Sequence, residues 1–295
     1  MTDPMPALPA AAVSAPLSRS LAGRIGERAA LLIGASITFV VVAVALLSLV
    51  WTPQPPGRVR IVARLQPPLA DGLLGTDHLG RDVLSMLMAG AFNSLSISLL
   101  SVLLGLSLGT LLGVAAAARR GLLEAAVMRV CDAMFAFPPI LSAIMIGALL
   151  GPGAVTAIAA IGAFMVPVFA RVTRGAALQI WAREYVLAAR MAGCGGIQIT
   201  FVHVLPNIAS HIIIQAAIQL ALAILTEAGL SFLGLGVPPP TPSWGRMLAD
   251  SQTYLSLAPH LALAPGIAIA LTVLGFSLLG DGLRDLADPR RRLTR

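Results

Sequence analysis

The polar residues best suited to a specific role lie in a short segment, residues 183–207, between two long apolar stretches. Glu184 and Arg190 within it can form charge-assisted hydrogen bonds with a partner molecule. Alanines and glycines separate these charges, and small side chains permit close approach of another surface. The segment therefore predicts a docking element on the aqueous side of a membrane protein.

The same segment carries the signals of a helix, a sharp turn and a second helix. Residues 184–192 would form the first helix, which aligns Val186, Ala189 and Gly193 on one stripe. Gly193 and two further glycines within three residues interrupt the helix and permit a sharp turn. Pro206 suits the first turn of the next helix, where its missing N–H costs nothing.

A second group of candidates lies in or beside the apolar stretches. Glu227 is an acidic residue within an apolar run, and an ionisable group at membrane depth is a functional candidate by default. A structural role, or contact with interfacial water, is the alternative for Glu227. Asp132 could equally be a helix-end residue near the cytoplasmic face. Pro138 and Pro139 are expected to kink a helix that lines a cavity. These four residues are our candidates for a translocation path or gate.

The sequence gives little support for a catalytic site or a metal-binding site. The histidines at 78, 203, 211 and 260 fall on different segments, and the two cysteines have no metal-ligand spacing. The sequence has neither a His-Glu-x-x-His nor a Gly-x-Ser-x-Gly motif. A phosphate-binding loop of the Gly-x-x-x-x-Gly-Lys-Ser/Thr type is excluded because the chain contains no lysine. We expect a non-catalytic protein that binds no metal or cofactor itself.

Composition places these residues in a membrane protein. Hydrophobic residues make up 57% of the 295 residues and charged residues 11%, against roughly 25% charged in an ordinary soluble domain. The formal net charge is +7. Nucleic-acid binding is not the explanation, since the arginines fall at the ends of apolar runs and form no basic cluster interleaved with aromatics.

Charge-free windows predict where the chain crosses the membrane, because a span needs about 20 apolar residues. They predict an all-α protein with about six transmembrane helices, at residues 29–50, 94–118, 130–150, 154–170, 208–230 and 261–280. Residues 1–28 would be an N-terminal tail, 51–93 an external loop, 94–281 the membrane core and 282–295 a C-terminal tail. The docking helices would lie at about 183–205, and the first apolar stretch is too long for a cleavable signal peptide.

Arginine placement predicts the orientation, because cytoplasmic loops collect positive charge. One side would hold the arginines within residues 19–28, 119–129, 171–190 and 284–295. The other side would hold only Arg58, Arg60, Arg64, Arg81 and Arg246. Both termini and the docking segment are therefore expected in the cytoplasm.

Several stretches resemble one family in the same order along the chain. The docking segment resembles the EAA motif of ABC importer permeases. The others resemble the second permease of the oligopeptide, dipeptide and nickel type: residues 74–85, Cys131-Asp132 with Phe137-Pro138-Pro139, and residues 227–248, 279–285 and 288–290. The resemblance covers about residues 73–292.

This resemblance implies a type I ABC importer permease fold and a multi-pass protein of the inner membrane. Partners would be a homologous second permease, two ATPase subunits that hold ATP and Mg, an external or periplasmic substrate-binding protein, and lipid. The positions that match the coupling motif are Glu184, Tyr185, Ala188, Ala189, Arg190, Gly193, Leu205 and Pro206. Leu187 and Val202 depart from it, where relatives often have an acidic and a basic residue.

Peptides are the cargo that the resemblance favours, while nickel, glutathione or another small solute remain open. A single-chain secondary transporter is the main alternative class, but the chain shows no internal repeat and few buried charges. An intramembrane enzyme is the third class, and it lacks a catalytic motif. Neither alternative explains the glycine-interrupted docking segment.

Overall fold

Helices make up most of the protein in the computed structural model, which describes residues 21–287. Most of the two predicted tails, residues 1–20 and 288–295, lies outside the described residues. The helices are α1 Leu21–Leu47, α2 Val83–Ala118, α3 Leu122–Ala136, α4 Pro139–Leu150, α5 Ala154–Trp181, α6 Glu184–Met191, α7 Gly196–Ile199, α8 Leu205–Phe232, α9 Trp244–Ser251 and α10 His260–Ala287. Within the described part, an isolated bridge between Thr76 and Asp82 is the extent of β structure.

Five helical stretches are long and apolar enough to cross a membrane. The pair α3 and α4 would make a sixth span if its two helices, which meet at 91°, count as one. The prediction of an all-α membrane protein with about six spans is confirmed. The observed helices nevertheless differ from the predicted windows at several boundaries.

The span predicted at 130–150 is wrong as a single helix. Helix α3 ends at Ala136 and α4 begins at Pro139, with Phe137 and Pro138 in extended conformations between them. Proline disfavours a helical conformation in the residue before it and has no N–H for the helix. Two consecutive prolines therefore separate the helices completely, where only a kink was expected.

Helices α2 and α5 are both longer than predicted. Helix α2 begins at Val83 and spans 36 residues, about 54 Å at 1.5 Å per residue, so it exceeds the thickness of a bilayer core. Its first turn is capped by Asp82, whose Oδ2 accepts a hydrogen bond of 2.8 Å from the Ser85 backbone N–H. Helix α5 continues to Trp181, well past the predicted end at Ala170.

Glycines allow α2 and α5 to pack closely. A Cβ atom placed at Gly109 would lie 2.5 Å from the Val166 carbonyl oxygen and 2.6 Å from the Phe169 Cβ. Gly105 and Gly113, four residues to either side, make similarly close approaches to α5. Small residues at this spacing let two membrane helices approach backbone to backbone. This pair forms the centre of the molecule.

The external loop is an ordered unit attached to the start of α2. Buried Asp77 accepts a hydrogen bond of 2.7 Å from Nε of buried Arg81. Arg60 pairs with Asp71 at 2.9 Å. Farther along the chain, Trp244 at the start of α9 donates from Nε1 to the Leu87 carbonyl oxygen of α2 at 3.0 Å. These contacts fix the external elements to the outer end of the helix bundle.

Candidate functional site

The docking segment folds as a short helix, a glycine turn and a longer helical path. Helix α6 begins at Glu184 and ends at Met191, and Gly193 follows with a φ of +87°. This left-handed conformation favours glycine, so the predicted sharp turn has a specific backbone requirement. The chain then continues from Gly196 through α7, a π-helical turn at Thr200–Val204 and α8.

One face of the segment is fastened to the membrane helices. Val186 is fully buried in a cluster that also contains Trp181 at the end of α5. Ile199 and Val204 from the second helical path contribute fully buried side chains to the same cluster. Helices α6 and α7 therefore pack against the end of α5 and the start of α8.

The predicted stripe of Val186, Ala189 and Gly193 faces the protein interior only in part. Val186 is fully buried, and Ala189 is half-buried and packs against the same cluster. Ala188 and Gly193, by contrast, are exposed, and a Cβ at Gly193 would meet no atom within 4 Å.

The docking segment also exposes large apolar side chains, of which the sequence analysis had noted only Leu187 and Val202, as departures from the coupling motif. Met191 is 90% exposed, Ile197 75% and Phe201 63%. Leu187 and Val202 are about half exposed beside them in the sequence. We call these five side chains the docking surface. The spacing of four residues between Leu187 and Met191, and between Ile197 and Phe201, is the sequence signal that could have identified it. Exposed apolar side chains grouped in this way are a candidate interaction surface.

Aromatic contacts hold the predicted polar residues of the segment in place. The Arg190 guanidinium lies 5.7 Å from the centroid of the Trp181 ring, within the range of cation–π attraction. Tyr185 contacts His203 edge to face, with ring centroids 6.0 Å apart. Glu184 is exposed, and within residues 21–287 it forms no ion pair. Its carboxylate is thus available to a partner.

The second helical path positions the last two predicted coupling residues. Leu205 is half-buried against the cluster that holds Val186, while Pro206 is exposed. Pro206 lies in the first turn of α8, as predicted. The following Asn207 donates from Nδ2 to the His203 carbonyl oxygen at 2.6 Å.

The four candidates for a path or gate lie apart from this segment. Asp132 on α3 is paired with Arg171 on α5. Pro138 and Pro139 form the junction of α3 and α4.

Glu227 is fully buried in α8. Its Oε1 accepts a hydrogen bond of 2.6 Å from Ser231 Oγ, one turn along the helix. Its Oε2 has no hydrogen-bond partner among the described residues. In the same described part of the chain, no three His, Cys, Asp or Glu side chains are placed to hold a metal ion.

Comparison with known proteins gives a consistent result. Residues 105–293 match the family model described as binding-protein-dependent transport system inner membrane component. The chain is 46% identical over 218 residues to the di/tripeptide transport system permease protein DppC of Pseudomonas aeruginosa, covering 74% of this chain and 72% of that protein. It is 44% identical over 217 residues to the glutathione transport system permease protein GsiD of Pectobacterium atrosepticum, with the same coverage of 74% and 72%.

A longer match and a solved structure extend this comparison. A putative peptide transport system permease protein of Brucella suis is 41% identical over 272 residues, or 92% of each chain. A chain from inward facing structures of the MetNI methionine ABC transporter superposes with a TM-score of 0.57 and 20% identity, covering 69% of this chain and 97% of that one. The latter likeness concerns the fold, and it confirms the expected importer permease fold.

Proposed function

The chain belongs to the family of binding-protein-dependent transport system inner membrane components, and we propose that it carries di- or oligopeptides inward with the energy of ATP hydrolysed by partner subunits. As a member of that family it is a multi-pass permease subunit of the inner membrane, as the sequence predicted. The cargo, the number of partners and the roles of individual residues are proposals.

The names of the related permeases support peptides as the cargo. Two of the three reported relatives are named for di/tripeptides or peptides, and the third for glutathione, itself a tripeptide. Among the described residues, no three His, Cys, Asp or Glu side chains are grouped so that they could hold a metal ion such as nickel. The proposal is tested by uptake into proteoliposomes that contain the complete transporter and its substrate-binding protein. Competition by unlabelled dipeptides should exceed competition by nickel, and the reverse result would contradict peptide transport.

We place the ATPase contact on the docking surface and the polar residues that flank it. The exposed apolar side chains would be covered by an ATPase subunit, while Glu184 and Arg190 form charge-assisted bonds at the rim. Tyr185, Ala188, Ala189, Gly193, Leu205 and Pro206 would fix the shape of the segment. The complex would hold one copy of this chain, one homologous permease and two ATPases, with ATP and Mg bound on the ATPases.

An aspartate in place of Phe201 should weaken ATPase attachment strongly. Burying a large apolar side chain stabilises a complex by about 1.5–3 kcal/mol, so we expect an affinity about tenfold to a hundredfold lower. Co-purification of the ATPases with the tagged chain measures the effect. The matched control is Leu122→Asp, because Leu122 is 91% exposed but lies at the start of α3, outside the docking surface. Equal losses in both variants would contradict the assignment of the surface.

The remaining candidates are proposed to act in gating. Asp132 and the junction at Pro138 and Pro139 would let α3 and α4 change their mutual angle during transport. For Glu227 we propose a positioning role inside α8, because its side chain is buried and bonded to Ser231 of the same helix.

Glutamine at position 227 should preserve uptake. Its amide has the same size and can still accept the Ser231 hydrogen bond, so we expect uptake within about twofold of the unmodified complex. Alanine would remove that bond and leave a cavity, which costs about 2–4 kcal/mol of stability. Uptake assays and thermal stability of the purified complex measure both effects. Complete loss of uptake in the glutamine variant, at normal stability, would indicate proton coupling.

A further inference from the structure

Two ion pairs join α3 to α5 near the predicted cytoplasmic side. Arg174 donates from both Nε and Nη2 to Glu124 Oε1, with the Nε contact at 2.7 Å. One turn earlier on α5, Arg171 pairs with Asp132. The Arg171 guanidinium also lies over the Phe135 ring, 4.4 Å from its centroid. We call these two ion pairs the α3–α5 clamp.

Little else attaches α3 to the rest of the chain. Of its 15 residues, Cys131 is the one with a buried side chain. Leu122 and Val130 are 91% and 61% exposed. Because apolar burial is limited, the two ion pairs are the main polar link between α3 and α5 among the described residues.

The arginines of the clamp lie on the helix that leads directly into the docking segment. Helix α5 is a continuous helix to Trp181, and Glu184 of α6 follows three positions later. Ala177, one turn beyond Arg174, is buried in the cluster that also holds Trp181 and Val186. A push on α6 therefore displaces the two guanidinium groups as part of the same packed unit.

The carboxylates of the clamp lie on α3, which is connected to its neighbours by non-helical backbone. Helix α3 is joined to α2 by a turn at Gly121, which has a φ of +95°, and to α4 by the extended residues Phe137 and Pro138. Both ends of α3 thus connect through non-helical backbone. Helix α3 can rotate against α4 without breaking a continuous helix.

We propose that Arg171 and Arg174 are positioning residues that transmit movement of the docking segment to α3 through Asp132 and Glu124. The inference rests on the proposed function, since it requires an ATPase to move the segment. The Glu124–Arg174 pair should matter more, because its side chains are 19% and 33% exposed against 56% and 47% for Asp132 and Arg171. Water and ions weaken exposed pairs most.

Charge exchange tests this inference. The complete transporter is reconstituted in proteoliposomes with Glu124→Arg, with Arg174→Glu and with both changes together. Each single reversal should lower ATP-driven uptake by about tenfold, the range over which mutations along a coupling route act. ATP hydrolysis should persist, because the docking surface is intact. The exchanged pair should recover most of the lost uptake, because it restores the ion pair with the charges reversed. Uptake that falls while ATP hydrolysis persists separates a coupling role from a role in folding alone.

Matched variants separate this proposal from the function on which it rests. Arg129→Glu reverses an exposed charge on the same helix and should leave uptake unchanged. If a reversal prevents assembly, Glu124→Gln should still lower uptake relative to ATP hydrolysis. Full uptake in the single reversals, or no recovery of uptake in the exchanged pair, would overturn the proposed role of the clamp. Absence of ATP-driven uptake by the unmodified complex would instead overturn the proposed function.

Discussion

Replacing Gly193 by tryptophan is expected to reduce ATP-driven uptake by about a hundredfold or more, equivalent to about 3 kcal/mol of lost coupling. Two effects combine. The residue has a φ of +87°, which disfavours any side chain, and it lies exposed at the turn between the two parts of the docking surface. A bulky ring there would change the turn and also obstruct the approaching ATPase. Uptake and ATPase co-purification should fall together.

Gly121 provides the matched control. It has a φ of +95°, meets nothing within 4 Å of a Cβ atom, and belongs to the turn between α2 and α3 on the same predicted side of the membrane. Gly121→Trp therefore carries the same backbone strain without touching the docking surface. It should retain ATPase attachment. Gly193→Ala adds the backbone strain without a bulky ring. Its ATPase attachment should therefore lie between that of Gly121→Trp and that of Gly193→Trp. If Gly121→Trp lost ATPase attachment as completely as Gly193→Trp, backbone strain alone would explain the loss of attachment.

Leucine at Gly109 should prevent accumulation of the folded permease. Even the first carbon of the new side chain would lie 2.5 Å from the Val166 carbonyl oxygen, so α2 and α5 would have to separate. Overpacking typically costs about 1–3 kcal/mol, and more when backbone rather than a flexible side chain must move. Marginally stable proteins unfold under such a change. The measurement is the amount and thermal stability of purified chain.

The control for this change is leucine at Gly175. That residue also lies within α5, but a Cβ there would meet no atom within 4 Å. Gly175→Leu should accumulate normally and be at least as stable, since leucine favours helix more than glycine does. Normal accumulation of Gly109→Leu would show that the close contact of α2 and α5 is not required for folding.

The features that were predictable from the sequence follow from strong local signals. Long apolar runs predicted the helical membrane class. The glycines after Met191 and the proline at 206 predicted a helix, a turn and a second helix start, which the structure contains.

Features that depend on tertiary partners were not predictable. The charge-free window ended the fourth span at Ala170, whereas α5 continues to Trp181, with Arg171 and Arg174 paired to carboxylates on α3. A charge in a single sequence gives no sign of its partner 39 or 50 positions away. The full burial of Val186 was not predictable for the same reason. Which side of a short helix is buried depends on the packing of α5 and α8 against it.

The most direct test of the account is native mass spectrometry of the tagged chain, expressed with its neighbouring genes, followed by ATP-dependent uptake in proteoliposomes. We expect a complex of this chain, one homologous permease and two ATPases that takes up peptide when ATP and the substrate-binding protein are supplied. Gly193→Trp should lose the ATPases from this complex. A chain that purifies without them and transports solute in the absence of ATP would contradict the account and favour a single-chain secondary transporter.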